Sequence, residues 1–205
     1  RLVGSEMCIR DRMQGMKPET LTKRRVTGAD DPLFVKSLDI YRTSFPLHEQ
    51  RRVQDFPLAF EDPGFYYEVF LDEAGRVAAI LVTWRRQEFV YLEYFAVSAS
   101  LRGQGAGQRI LEELRDAFPH KVILEIDPPE DEISRRRLGF YRRHGFVPNP
   151  QFDYIHPPYT AEGESYPLLL MTHEKTLDPD VYQAFVHFHH EWVVRRFYDI
   201  SSRPE

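Results

Sequence analysis

Residues 91–107, YLEYFAVSASLRGQGAG, constrain the fold more than any other stretch of this chain. Alternation over residues 91–97 predicts a strand, with Tyr91, Glu93, Phe95 and Val97 on one face and Leu92, Tyr94 and Ala96 on the other. Ile110, Leu111 and Leu114 recur at helical spacing and predict a helix from about residue 105 to about 118. Between the two, glycines let the backbone turn tightly. A helix N-terminus directs N–H groups outward, where the macrodipole favours an anion. A strand, a glycine turn and a helix in that order predict a phosphate site built from backbone.

The flanks set the topology around this unit. Residues 21–29 alternate weakly and are read as a first strand. Asp31 caps a helix with Pro32 at its first position and Leu33, Phe34, Leu38 and Tyr41 on one stripe, ending near Phe45-Pro46. A short helix is expected over residues 48–56, ending before Pro57, with Glu49, Arg51 and Arg52 on a solvated face. Residues 65–71 and 76–85 read as a hairpin across an Asp/Gly turn, and residues 91–97 extend it to an antiparallel meander. The apolar strand over residues 121–126 follows the central helix and is expected parallel to residues 91–97 through a right-handed crossover. A helix over residues 132–144 stops at Gly145, and a strand region opens at Phe146. Residues 151–167 form a Tyr/Pro/Gly-rich connection to a further strand over residues 168–172. Asp178-Pro179 opens a last helix, reaching about Tyr198, with a stripe of Val181, Phe185, Phe188 and Trp192 widened by Tyr182, Val186 and Val193. That face packs on the domain or on a partner subunit, which leaves a homodimer open. The expected class is α/β, a single domain with a mixed, mostly antiparallel sheet and flanking helices.

With 205 residues the chain can bury one proper core. Its net charge of −5 argues against nucleic acid as the main partner, because a phosphate-backbone binder presents a basic surface. No apolar run is long enough to span a bilayer, so no membrane partner is expected. The single cysteine, Cys8, excludes a disulfide within the chain and argues against thiol catalysis, and a reducing cytoplasmic setting fits. Residues 1–12, RLVGSEMCIRDR, lack the layout of a secretory signal and look like a translated sequencing adapter. Residues 1–15 are therefore expected to be a non-native or disordered tail, with Met13 or Met16 nearer the natural start. The domain is placed at residues 21–173 and the last helix at 178–198.

The glycine turn carries the pattern Arg102-x-x-Gly105-x-Gly107. A nucleotide-triphosphate loop needs Gly-Lys-Ser/Thr, and Gly107-Gln108-Arg109 does not supply it. A dinucleotide fingerprint needs a further glycine where Gln108 and Ile110 stand, and it belongs near the start of a parallel sheet. The order strand, R-x-x-G-x-G, helix, strand, then a helix ending Phe140-Tyr141-x-x-x-Gly145-Phe146, resembles the GNAT superfamily of N-acetyltransferases, over residues 26–172. The run from Glu125-Ile126-Asp127-Pro128-Pro129 through Phe140-Tyr141 resembles a bacterial subgroup. The resemblance implies an acyl-CoA N-acyltransferase fold whose sheet splays at the cofactor cleft. It implies acetyl-CoA as co-substrate, with Arg102, Gly103, Gln104, Gly105, Ala106 and Gly107 at the pyrophosphate and Phe95, Ala96 and Val97 along the pantetheine arm. Many members carry Asn and Ala upstream of Phe-Tyr; here Ser134 and Arg137 stand in those places, so the Asn contact to the arm is not carried over.

By resemblance the Tyr141 hydroxyl lies near the CoA sulfur, as both cofactor contact and catalytic group. A phenol with a pKa near ~10 can protonate or hydrogen-bond a leaving thiolate whose conjugate pKa is near ~8.5. The alternative is a Tyr packed under the sheet. Glu93 is the candidate base, because attack on a thioester needs a neutral amine and a carboxylate near the turn can take the proton. Its alternative is a salt-bridged strand carboxylate, and Glu125 on the next strand is the rival base. His187, His189, His190 and Glu191 suggest a metal cluster by spacing but lack a fourth ligand; they read as a solvated or interface face, and no metal is expected. In the layout the resemblance implies, residues 153–159 lie near the acceptor mouth together with residues 45–52; the alternative for 153–159 is a turn packed by its own prolines.

The activity this implies is acetyl transfer from acetyl-CoA to a primary amine by direct attack, on a small molecule or on a protein or peptide amine. The alternatives are a non-catalytic acyl-CoA-binding or regulatory module on the same fold, and a dinucleotide-binding protein.

Overall fold

The computed structural model describes residues 20–198. The tail expected over residues 1–15 lies outside the described residues, as does Cys8.

Strand β1 (Thr22–Val26) leads into helix α1 (Pro32–Ser44). Asp31 caps α1 through its side chain, which accepts from the Leu33 N–H at 2.8 Å. The single helix expected over residues 48–56 does not form. Two 3-10 turns, Leu47–Glu49 and Val53–Asp55, precede the short helix α2 (Phe56–Phe60). Pro57 does not end a helix; it stands in the first turn of α2, where its missing N–H breaks no hydrogen bond.

Strands β2 (Phe65–Leu71), β3 (Val77–Arg85) and β4 (Val90–Val97) form the antiparallel meander, with β1 outside β2. Helix α3 (Ala106–Ala117) crosses to β5 (Val122–Ile126), which runs parallel to β4. Then come helix α4 (Glu132–Arg143), β6 (Phe146–Pro148), a ribbon of β7 (Ile155–His156) and β8 (Tyr166–Pro167), β9 (Leu169–His173) and helix α5 (Pro179–Phe188). The main sheet has seven strands in the order β1-β2-β3-β4-β5-β9-β6, all neighbours antiparallel except β4 and β5. Helices cover both faces. Phe34, Tyr41, Phe56 and Phe185 bring α1, α2 and α5 onto one, and Ile110, Leu111, Leu114 and Tyr141 bring α3 and α4 onto the other.

Helix α5 packs on the domain itself, but its stripe differs from the helical one. Trp192 is 49% exposed, whereas Val193, Val194 and Phe197 are buried. After Phe188 the chain winds as a π segment, His189–Val194, and then a 3-10 turn, Arg195–Phe197. The wider turn changes the period, so residues one or two places beyond Trp192 take the inward direction.

Two features of β4 open a cleft. Its pairing with β5 stops after Leu92 and Leu124, so residues 93–97 have no strand on that edge. Opposite, Val82 pairs with Tyr94 but Thr83 with Leu92, which makes Glu93 an inserted residue, a β-bulge. The bulge resets the alternation. Tyr91, Tyr94 and Ala96 pack in the layer of α1 and α5, while Leu92, Phe95 and Val97 pack in the layer of α3 and α4. Strict alternation put Glu93 on the face of Phe95 and Val97; the bulge puts it on the opposite one, among Trp84, Tyr159 and Arg51.

Candidate active site

The glycine turn sits against the end of β4. Gly103 and Gly105 have φ of 77° and 75°, the left-handed region that a side chain strains. Gly105 caps α3 with no side chain across its N-terminus. A Cβ on Gly107 would stand 3.4 Å from Val97 Cγ2 and 3.6 Å from Phe95 Cζ, so the first turn of α3 lies tight on the strand. Arg102 Nε donates to the Val97 carbonyl at 3.2 Å and ties the turn to the strand end. The turn and the unpaired edge of β4 are therefore continuous, the arrangement expected for a diphosphate and the arm attached to it.

Beyond the turn lies a cleft of about 860 Å³, open solvent at its mouth included. Phe95, Ala96, Arg102 and Tyr141 line one part of it, and Glu49, Glu125, His156, Tyr159 and Tyr166 another. The cleft is thus bounded by the parted strands, by the ribbon of β7 and β8 and by the loop at residues 45–52. His156 and Tyr159 are buried side chains facing it, so the connection before β8 is more than a proline-packed turn.

Tyr141 projects from the last turn of α4 and is 8% exposed. Burial pushes its phenol up to about 12, while Arg137 pulls the other way. It is a hydroxyl that keeps its proton at neutral pH. Ser134, two turns earlier in the same helix, is spent on structure. Its hydroxyl accepts from the Asp131 N–H at 3.1 Å and its N–H donates to Asp131 Oδ1 at 2.7 Å, a capping box for α4. Arg137 lines the cleft instead. Its Nη1 donates to Asp127 Oδ2 at 2.7 Å, and its Nη2 is buried with no hydrogen-bond partner.

Glu93 is locked. Its carboxylate is fully buried and accepts from Arg51 Nη2 at 2.7 Å, Tyr159 OH at 3.0 Å and Trp84 Nε1 at 2.7 Å. Of its two sequence readings, the salt-bridged carboxylate matches this geometry. Arg51, expected on a solvated face, is 1% exposed. Its Nη2 also donates to the Val193 carbonyl at 2.6 Å, and its guanidinium lies 4.0 Å from the centre of the Phe197 ring. The reason lies in the bulge and the π segment, which turn a carboxylate and a carbonyl toward the same interior point. One buried cation then neutralises the first and satisfies the second.

Glu125 stands on β5 just past the point where the strands part. Its Oε2 accepts from Tyr91 OH at 2.8 Å, and its Oε1 has no hydrogen-bond partner. Burial pushes its carboxyl up to about 7, against the pull of the Tyr154 and Tyr91 phenols, with the charge of Glu93 adding to the rise. His189 Nε2 lies 3.8 Å from Oε1 and His156 Nε2 lies 3.8 Å from Oε2. Burial lowers both imidazoles, His156 to about 4, so both are neutral near pH 7. The Tyr154 hydroxyl meets His189 Nδ1 at 3.0 Å. The four-residue cluster read from spacing is thereby broken up. His187 and Glu191 are exposed, while His189 is wholly buried beside Glu125. Glu125, His156 and His189 each bring one ligand-type atom within 4.8 Å of the others. Glu125 had one legible signal, a lone carboxylate in the apolar run VILEI. Arg51, His156 and His189 fall in stretches the sequence singled out, but their actual partners were not legible because they are far away in the chain.

The model of the acetyltransferase (GNAT) family matches residues 34–146, more than half of the chain. Among solved structures, a Bacteroides thetaiotaomicron protein provisionally named a GNAT-family acetyltransferase superposes with a TM-score of 0.75 and 28% identity, over 84% of this chain and 98% of its own. The ribosomal-protein-S18-alanine N-acetyltransferase of Escherichia coli shares the fold at a TM-score of 0.52 and 15% identity, over 78% of this chain and 97% of its own. A Bacillus subtilis (strain 168) protein provisionally named acetyltransferase YjbC is 32% identical over 69 residues, 33% of this chain. The match spans 35% of that curated relative's length.

Proposed function

The chain belongs to the acetyltransferase (GNAT) family, and from that premise we propose that it transfers an acetyl group from acetyl-CoA to a primary amine by direct attack in the cleft between β4 and β5. The observation that carries this reading is that the parting of the two strands brings Glu125 and Tyr141 into one cleft beside the glycine turn. The residues fit the cofactor. Backbone of residues 102–107 at the N-terminus of α3 would hold the diphosphate, and the free edge at Phe95, Ala96 and Val97 would pair with the pantetheine arm. Bound there, acetyl-CoA supplies a thioester carbonyl and a thiolate leaving group.

Glu125 takes the proton of the attacking amine. Its carboxyl near 7 is matched to neutral pH, and the residue lines the cleft. Free N–H groups along residues 93–97 would stabilise charge developing on the carbonyl oxygen. Tyr141 keeps its proton to about pH 12 and donates to the departing sulfur. Glu93, with both carboxylate oxygens engaged, holds Arg51 and the acceptor loop in place.

The test is thiol release from acetyl-CoA across a panel of amines. Glu125→Gln should lower kcat/KM by ~10²-fold or more, the usual span for a general base, and Tyr141→Phe should lower kcat without weakening acetyl-CoA. Thiol release from no amine, with acetyl-CoA still bound, would support a non-catalytic acyl-CoA module instead.

A further inference from the structure

The carboxylates of the cleft are not equally neutralised. Glu93 is paired with Arg51 at 2.7 Å, and Asp127 with Arg137 at 2.7 Å. Glu125 is the group proposed for the reacting amine, which must be uncharged when it attacks. Glu49 is left. Its side chain is 24% exposed, and among the described residues its ion-pair neighbour within 4 Å is His48, with Nε2 at 3.6 Å, a cation only when protonated. Burial raises the Glu49 carboxyl and the charge of Asp127 adds to the rise, while His48 and Arg137 pull it part of the way back. A carboxylate strained in this way gains from any cation that enters beside it.

The walls around it are aromatic. Tyr166 stacks on His156 at 5.0 Å and meets the edge of His48 at 5.5 Å. Tyr94 stacks on Tyr159 at 6.3 Å, with Phe45 set edge-on at 4.9 Å. Ring faces accept both methylene chains and ammonium groups. Tyr166 also lies among the carboxylates: after burial, the charges of Glu125, Glu49 and Asp127 in turn push its phenol up. It lines the same cleft as the proposed base and Glu49.

We propose that the acceptor is an aliphatic diamine, one nitrogen reacting at Glu125 and the other held as an ammonium by Glu49 against Tyr166. This rests on the acetyl-transfer reading and names its substrate class. An acceptor carrying a carboxylate would bring a further anion toward Glu49 and Glu125. A monoamine of equal length would bring no second ammonium to Glu49.

Two measurements test it on the full chain. Thiol release is compared for 1,4-diaminobutane and its longer homologues, for the monoamines of equal length, and for the ω-amino acids of equal length. The best diamine should exceed its monoamine in kcat/KM by about tenfold or more, the worth of a charge-assisted contact, and the amino acid should be poorest. Glu49→Gln should bring the diamine-to-monoamine ratio close to one. Separately, calorimetric titration of the same diamine into the CoA complex should show binding that weakens about tenfold in Glu49→Gln. Equal rates for diamine and monoamine, or a ratio unmoved by Glu49→Gln, would overturn the acceptor class while leaving acetyl transfer intact. Glu49-dependent diamine binding without thiol release from any amine would overturn transfer and keep the cation site. Neither binding nor release would sink both.

Discussion

Glu125 carries its charge against its surroundings, and that has a consequence for stability as well as for rate. Its folded carboxyl titrates near 7 rather than 4.5, so the folded chain holds this proton more tightly than the unfolded chain. Its contribution is therefore full below about pH 4.5 and is lost as pH rises through about 7. A shift of that size corresponds to on the order of 3 kcal/mol. Glu125→Gln keeps the shape without the charge. Urea unfolding from about pH 5 to about pH 8 should show the native chain losing more stability than the variant; parallel losses would refute the assignment. In the kinetics, kcat/KM should rise with pH through about 7, and the variant should lack that limb. Glu93 and Glu125 look alike in the sequence, as carboxylates in apolar strands. Hydrogen bonds from Trp84 on the adjacent strand and from Arg51 and Tyr159, both remote in sequence, separate them.

At the scale of elements, the bulge in β4 and the π segment after α5 act together through Arg51. Neither was legible beforehand. A bulge is fixed by how two strands register, and a π turn by what the helix must reach, so strict alternation and strict helical spacing both fail there. Arg51→Met leaves Glu93 buried without its cation and should cost about 3–5 kcal/mol in denaturant unfolding. Adding Glu93→Gln should restore a substantial part, since no uncompensated charge remains. Simple additivity of the two losses would argue against the pairing. The glycine turn behaves differently, because its conformation is local. Gly105→Ala places a side chain at φ of 75°, and should cost about 1 kcal/mol of stability while weakening acetyl-CoA binding. Unchanged affinity would remove that turn from the proposed cofactor site.

For the molecule as a whole, the binding reading predicts what thermal unfolding will show. CoA at about a hundredfold over its Kd should stabilise the chain by about 2.7 kcal/mol, roughly 5–10 °C for a domain of this size. NAD should give no shift; the reverse pattern would revive the dinucleotide alternative. The expected class, a mostly antiparallel mixed sheet with helices on both faces, matches the structure, and so does the strand, glycine turn and helix at its centre. These follow from patterns of period two and period 3.6 and from glycines in tight turns, all written within a few residues of one another. What surrounds the cleft was decided only in three dimensions. The sequence determined a phosphate cradle and the strand feeding it. Tertiary structure decided that Glu93 is sealed beneath Arg51, that Glu125 faces the cleft, and that Glu49 shares it with aromatic walls. The physical reason is that a carboxylate's chemistry is set by the charges and burial around it, and those come from segments that meet only when the chain folds.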